Sequence, residues 1–404
     1  MSRWIHNPAG RIIAVARDLP EKLSPGENSL KTNGGLVLVS ALVVVIGLLT
    51  FWPTDDPATL SFASAVAIDN RSVSAATGTI YGERYLAVLT TNRTDLQQPA
   101  LELFAVSDSG DLTPAGTLDS PLDALEPDLP STPSIAFAGE TVYLPLPQSR
   151  DPALWIVDVS DPESPKQLSV TPLETSPGSA AVDGDLAAVG PMDGTLTQFF
   201  DVEDPAAPEL LGTFRHSIVS TGNIEMEGST IYVSDRQGVS VVDITSLDDP
   251  RVVGRFEDET WASRLQHEPG HVTPRIAVEQ DHLYAASDEY GVNVLDVAGE
   301  ADPDAATRRL ERNPGNLDSD RALDATASGE HLLILSERGA ASEEPLELAY
   351  VVRDIDISNP GDPDVAAETE VIASPETGLV SVAVDDSFAY FLAGSTIHVI
   401  ELSE

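Results

Sequence analysis

Residues 154–162 read LWIVDVSDP, and this stretch decides the fold. Side chains alternate across a strand, so Leu154 and Ile156 fall on one face and Trp155 and Val157 on the other. Both faces are apolar, which suits a strand covered on both sides and not one with a solvated face. Asp158 then closes the strand, its short carboxylate placed to bond nearby backbone, and Asp161-Pro162 turns the chain.

The same pattern returns as TQFFDVEDP with Asp201, VSVVDITSLDDP with Asp243, VNVLDVAGEADP with Asp296 and VRDIDISNP with Asp356. Two weaker copies flank these: ELFAVSDSG has Ala105 in the aspartate position, and HVIELSE has Glu401. The anchor positions 105, 158, 201, 243, 296, 356 and 401 are spaced by 53, 43, 42, 53, 60 and 45 residues. A period near 40–45 with insertions fits four short strands per unit, as in propeller blades, and the amphipathic 3.6-residue period of helical repeats is missing. One unit reads in full as GSAAVDGD, LAAVG, LTQFFDV and PELLGTF, with turns at Asp183-Gly184, Pro-Met-Asp-Gly and Asp204-Pro205. An aspartate that recurs in nearly every unit has a structural job rather than a catalytic one.

The LWIVDVSDP, SVVDITSLDDP and NVLDV copies, each preceded by a Gly-containing turn and followed by Pro-x-apolar-apolar-Gly, resemble the LVIVD repeat family. The resemblance covers residues 60–404, most strongly in five units, while the first and seventh lack the Asp-Pro turn. It implies a β-propeller, commonly on cell surfaces and here of haloarchaeal membrane-anchored type, and brings no catalytic residue with it.

The last unit, from Gly378 onward, supplies three strands before the sequence ends. Residues 58–68, ATLSFASAVAI, have strand character and no unit of their own. The expectation is an all-β, seven-bladed β-propeller over 58–404 whose strand 58–68 completes the last blade, leaving no open edge.

Ahead of it, residues 34–52 (GGLVLVSALVVVIGLLTFW) carry no charge, and 19 helical residues span roughly the 30 Å hydrocarbon layer. Trp52 stands where an interfacial aromatic belongs; Lys31 precedes the run and Asp55 and Asp56 follow it. Basic flanks stay inside, so residues 1–33 are expected as a cytoplasmic tail, 34–52 as a transmembrane signal anchor, 53–57 as a linker, and the propeller as extracellular. An A-x-A-like cleavage site is missing after the apolar run, which favours an uncleaved anchor. RIIAVARDL (11–19) reads as a short amphipathic helix on the inner leaflet or as a tail.

The chain carries 66 acidic against 22 basic residues, a net charge of −44, and Lys166 is its one lysine beyond residue 33. Such a field repels nucleic acid and anionic surfaces. Molar salt cuts the Debye length to about 3 Å and screens the self-repulsion, so the composition reads as adaptation to high salt. With no cysteine, disulfides, thiolate metal sites and thiol nucleophiles are absent.

Long insertions fall at 91–99, 119–133, 147–152, 257–274, 312–321 and 337–347, all between strands two and three or between consecutive units, and therefore on one face. The most chemically loaded, DETWASRLQHEPGHVTPR, holds Trp261, Arg264, His267, Glu268, His271 and Arg275, the candidate binding residues. It contains H-E-x-x-H, which binds zinc when a helix sets the two histidines one turn apart. Pro269-Gly270 breaks that helix, so no metal site is assigned. There is no G-x-S-x-G elbow, P-loop or dinucleotide fingerprint. Trp155 and Trp261 are too few for tryptophan-docked quinone binding, and Asp-rich loops such as 318–321 lack EF-hand spacing. The leading expectation is a non-enzymatic, cofactor-free scaffold for a protein or glycan partner. The alternatives are an exported hydrolase or redox enzyme with its site on the long loops, and an accessory subunit that binds through residues 1–52.

Overall fold

In the computed structural model, Leu154, Trp155, Ile156 and Val157 are all fully buried. Trp155 and Val157 pack with Val142 and Leu144 of their own sheet and Leu101 and Leu103 of the preceding one. Leu154 and Ile156 pack with Ala180, Ala187 and Phe200 of the following one. A strand apolar on both faces is thus a strand between two neighbouring sheets. The structure describes residues 58–402 except 93–97, 126–131, 149, 193, 221–222, 236–237, 258–274, 288–290, 298–306, 310–319, 339–347, 361–362 and 374–379, together with residues 5–6 and 12–13.

Residues 1–56 with 314–316 form a separate unit, of which β1 (Ile5–His6) and β2 (Ile12–Ile13) are described as an antiparallel pair. The remaining strands begin with β3 (Ala58–Thr59) and β4 (Ser61–Ala67). Six sheets then follow in chain order, each a four-stranded antiparallel meander. They are β5 (Arg71–Ile80) to β8 (Leu112–Asp119), β9 (Ala136–Ala138) to β12 (Lys166–Pro172), and β13 (Pro177–Asp183) to β16 (Glu209–Ser220). Next come β17 (Ile224–Glu227) to β20 (Arg251–Glu257), β21 (Arg275–Glu279) to β24 (Thr307–Arg309), and β25 (Asp320–Ser328) to β28 (Asp364–Ala373). The seventh sheet is β29 (Val380–Val384), β30 (Phe388–Ala393), β31 (Thr396–Glu401) and then β4, which pairs antiparallel with β31 from Thr396↔Ala67 to Glu401↔Ser61. Of the stretch 58–68, only 61–67 belongs to this sheet; Ala58 and Thr59 pair in parallel with Ala367 and Glu368 on the outer edge of the sixth.

The recurring motif has a local cause. Oδ1 of Asp158, Asp201, Asp243 and Asp356 accepts the amide two residues on, of Ser160 at 2.8 Å, Glu203 at 2.9 Å, Thr245 at 2.8 Å and Ser358 at 2.8 Å. The apolar residue after each aspartate turns inward, as Val159, Val202, Ile244 and Ile357 do, and donates its amide to the hairpin between strands one and two. Where the first unit has Ala105, Ser107 Oγ takes over by accepting the Asp111 amide at 2.9 Å.

A second regularity lies in the outer strands. In six of the seven sheets the register between the third and fourth strands shifts by one, leaving Ala63, Ala115, Leu168, Leu211, Val253 and Ala366 without a partner. Such bulges sharpen the twist of the outermost strand. Gly116 and Gly212 follow two of them, and a Cβ on either would lie 2.2 Å from Pro162 O or 2.4 Å from Leu247 O in the next sheet. The glycine of the Pro-x-apolar-apolar-Gly pattern therefore marks close approach of the next unit's turn.

Among the described residues no helix is long and apolar enough to cross a membrane. The tail at 1–33 apart from its four strand residues, the segment 34–52 and the linker 53–57 lie outside the described residues.

Candidate functional site: the axial channel and the long-connection face

The inner strands β5, β9, β13, β17, β21, β25 and β29 face a common axis. Four residues before the end of β9, β13, β17, β21 and β25 stands a polar residue, Ser134, Ser179, Asn223, Arg275 and Asp324, and Ser381 stands three before the end of β29. These join one sheet to the next. Ser134 O accepts the Ala180 amide at 3.0 Å, and Ser179 Oγ accepts the Ile224 amide at 3.2 Å. Asn223 grips the following strand from both sides, accepting the Ile276 amide at 3.0 Å and donating Nδ2 to Ile276 O at 2.7 Å. Asp324 Oδ2 accepts Ser381 Oγ at 3.0 Å and the Val382 amide at 3.1 Å. Arg275 has no acceptor to offer the next strand, and there the Ala325 amide bonds Asp324 Oδ1 at 3.1 Å instead. The result is a polar girdle around one end of the axis.

Inside it lies a channel of about 350 Å³. Ser74, Asn223, Glu225, Asp324, Thr326 and Ser381 are among its lining residues. Burial pushes the Glu225 carboxyl up to about 8, against the Asn223 amide donating to Oε1 at 3.1 Å, with the charge of Asp324 adding to the rise. Glu225 is only half-buried by surface exposure, but the surface it shows lines this narrow channel, where water solvates a charge poorly. Asp324 is likewise raised by burial, held back by the Arg275 guanidinium and by its amide and hydroxyl donors. Arg275 itself is 4% exposed, its guanidinium pulled down by burial and supported by Asp324. Burial thus favours the neutral form of Glu225, which can donate a hydrogen bond. Among the described residues no hydroxyl–histidine pair lines the channel, and no three His, Asp or Glu side chains are grouped to hold a metal.

Of the residues singled out in the sequence, Arg275 is described, as a member of the girdle at the start of β21. Trp261, Arg264, His267, Glu268 and His271 lie outside the described residues. Asn223, Glu225 and Asp324 were not singled out. For Asn223 and Asp324 the signal available was the repeat, which puts a polar residue at or near one fixed position of an otherwise small or apolar strand, whereas Glu225, two residues beyond that position, had none.

The connections divide by face. Strands one and two, and three and four, are joined at one end; strands two and three, and successive sheets, at the other. Connections 92–99, 120–135, 258–274, 310–319 and 339–347 all leave from strand ends of the second kind.

Seven four-stranded meanders around one axis, closed by strand exchange between the two ends of the domain, define a seven-bladed β-propeller. No family model and no curated protein matches the chain. Among solved structures, it is similar to the Pan2 WD40 domain of Neurospora crassa, with a TM-score of 0.51 at 10% identity over 86% of this chain and 98% of that one. BamB from Moraxella catarrhalis aligns with a TM-score of 0.49 at 12% identity over 86% of this chain and 99% of that one. At 10% identity the likeness to the Pan2 domain is one of fold.

Proposed function

We propose that the chain is a non-enzymatic, membrane-anchored extracellular β-propeller of a salt-adapted organism, of LVIVD type, that holds a protein or glycan partner on its long-connection face. The observation that carries this reading is that the two longest connections, 120–135 and 258–274, and three more of eight to ten residues leave from one end of the ring, whereas at the other end only 297–306 between β23 and β24 is as long. Variable loops on a rigid scaffold are the common form of a binding face. The anchor follows from residues 34–52, the orientation from Lys31 against Asp55 and Asp56, and the salt adaptation from the charge of −44. The same charge disfavours nucleic acid.

The test is a crosslinked pull-down in molar salt with the full chain and with a variant in which 258–274 is replaced by a short Gly-Ser linker. A partner captured by the first and lost by the second supports the reading. Stoichiometric zinc in the purified chain, lost on His267→Ala, would replace it with a metal-dependent one.

A further inference from the structure

The chain enters the propeller at a definite place. Ser61 pairs with Glu401 and Ala67 with Thr396, so β4 starts at the end of the ring that carries the strand one–two hairpins and the Asp-Pro turns, opposite the long connections. Ahead of β4, Ala58 and Thr59 pair with Ala367 and Glu368, three residues into β28 from the same end, and residues 53–57 can reach at most roughly 18 Å from Ala58.

An independent feature marks the same end. Among the described residues, the exposed large hydrophobics are Phe62 at 46%, Tyr81 at 78%, Leu210 at 52%, Leu211 at 40%, Val252 at 52% and Val253 at 51%. Tyr81 tips the β5–β6 hairpin. The others sit on the first turns of β4, β16 and β20, beside Ser61, Glu209 and Arg251, which pair with the last residues of their third strands. The Leu210-Leu211 and Val252-Val253 pairs come from the bulges, which leave the second residue of each pair without a partner and turn both outward.

We propose that the propeller stands on the bilayer by this end, with Phe62, Tyr81, Leu210, Leu211, Val252 and Val253 touching the membrane interface and the long-connection face turned outward. The inference rests on the anchored reading above. A five-residue tether entering this rim keeps it within reach of the lipid, and exposed aromatic and aliphatic side chains gain by leaving water there. Asp201, Glu203, Asp204, Glu209, Asp248 and Asp249 lie near the apolar pairs and oppose an anionic surface. Molar salt screens that opposition beyond about 3 Å, so the contact belongs to high salt and weakens as salt is lowered.

The native chain has no cysteine, so single labels are unambiguous. The full chain is reconstituted in phosphatidylcholine vesicles at molar KCl, with an environment-sensitive fluorophore on Tyr81→Cys, Val253→Cys or, at the other end, Gln98→Cys. Quenching by headgroup spin-labelled lipid is expected to be at least twofold stronger at 81 and 253 than at 98. It should fall to the level of 98 at position 81 when Leu210, Leu211, Val252 and Val253 are changed to Ser. Equal quenching at the two ends in protein that floats with the vesicles overturns the proposal and leaves the apolar rim to a protein partner. Protein that fails to float overturns the anchor as well, so the two failures are told apart.

Discussion

Gly212 of one blade lies against the backbone carbonyl of Leu247 in the next, so close that a Cβ on it would stand 2.4 Å from the oxygen. The contact explains why a glycine ends the Pro-x-apolar-apolar-Gly pattern and links a sequence regularity to the spacing between blades. Gly212→Ala must push the Leu247 turn away, and overpacking of this kind costs about 1–3 kcal/mol. Urea unfolding in constant molar salt should show that loss; an unchanged midpoint would mean that the turn yields freely.

Asp158 tests the motif aspartate. Asp158→Ala removes the acceptor of the Ser160 amide, a net loss of about 0.5–1.5 kcal/mol, whereas Asp158→Asn keeps an acceptor and most of the stability. Bonding by Ser160 holds the Asp158 carboxyl below its ordinary value. Its contribution is therefore present above pH 4 and lost as the pH falls through the depressed value, a dependence the alanine variant lacks.

Glu225 has the opposite sign. Its carboxyl is raised to about 8 from 4.5, so the folded chain holds a proton that the unfolded chain has released, and stability falls as the pH rises from 4.5 to 8. Glu225→Gln should remove that slope and leave the variant more stable than the native chain at pH 8.5, as measured by chemical denaturation. A variant less stable at every pH would mean that the carboxylate is needed in its charged form.

His216 titrates in the other direction. Buried, with Nε2 2.7 Å from Thr197 Oγ1 and its ring edge-on to Phe214, it is pushed down to about 4. Unfolding lets it take up a proton at its ordinary value near 6.5, so this residue's share of stability is lost as the pH drops from 6.5 toward 4. His216→Gln should flatten the thermal-denaturation profile over that interval.

The repeat was legible because its residues are forced by local geometry: a strand apolar on both faces, an aspartate that closes it, a glycine that lets the next blade approach. The girdle was not. Asn223 and Asp324 recur at one place in the inner strands, but that place is visible only once the strand ends are known, and with 66 acidic residues in the chain the carboxylate of Glu225 carries no signal by itself. The altered protonation of Glu225 and Asp324 comes from burial that exists only once the inner strands surround the channel. The H-E-x-x-H stretch drew attention by composition, yet the member of that loop region described here, Arg275, is placed beside Asp324 in the girdle. The exposed pairs Leu210-Leu211 and Val252-Val253 read as ordinary strand residues, because a bulge leaves no mark in a two-residue alternation until the register is known.

Closure of the ring by the strand that precedes the first blade is the relationship on which the rest depends, and it can be tested without deleting anything. Ala65 and His398 are paired across β4 and β31, and the native chain has no thiol to confuse the result. With both changed to cysteine, their spacing as facing strand partners suits a disulfide. Mild oxidation of the folded chain in molar salt should form an intramolecular bridge in high yield and raise the thermal midpoint. Two thiols that stay free to react with maleimide in the folded protein, or that bridge only between molecules, would contradict the closed seven-bladed ring.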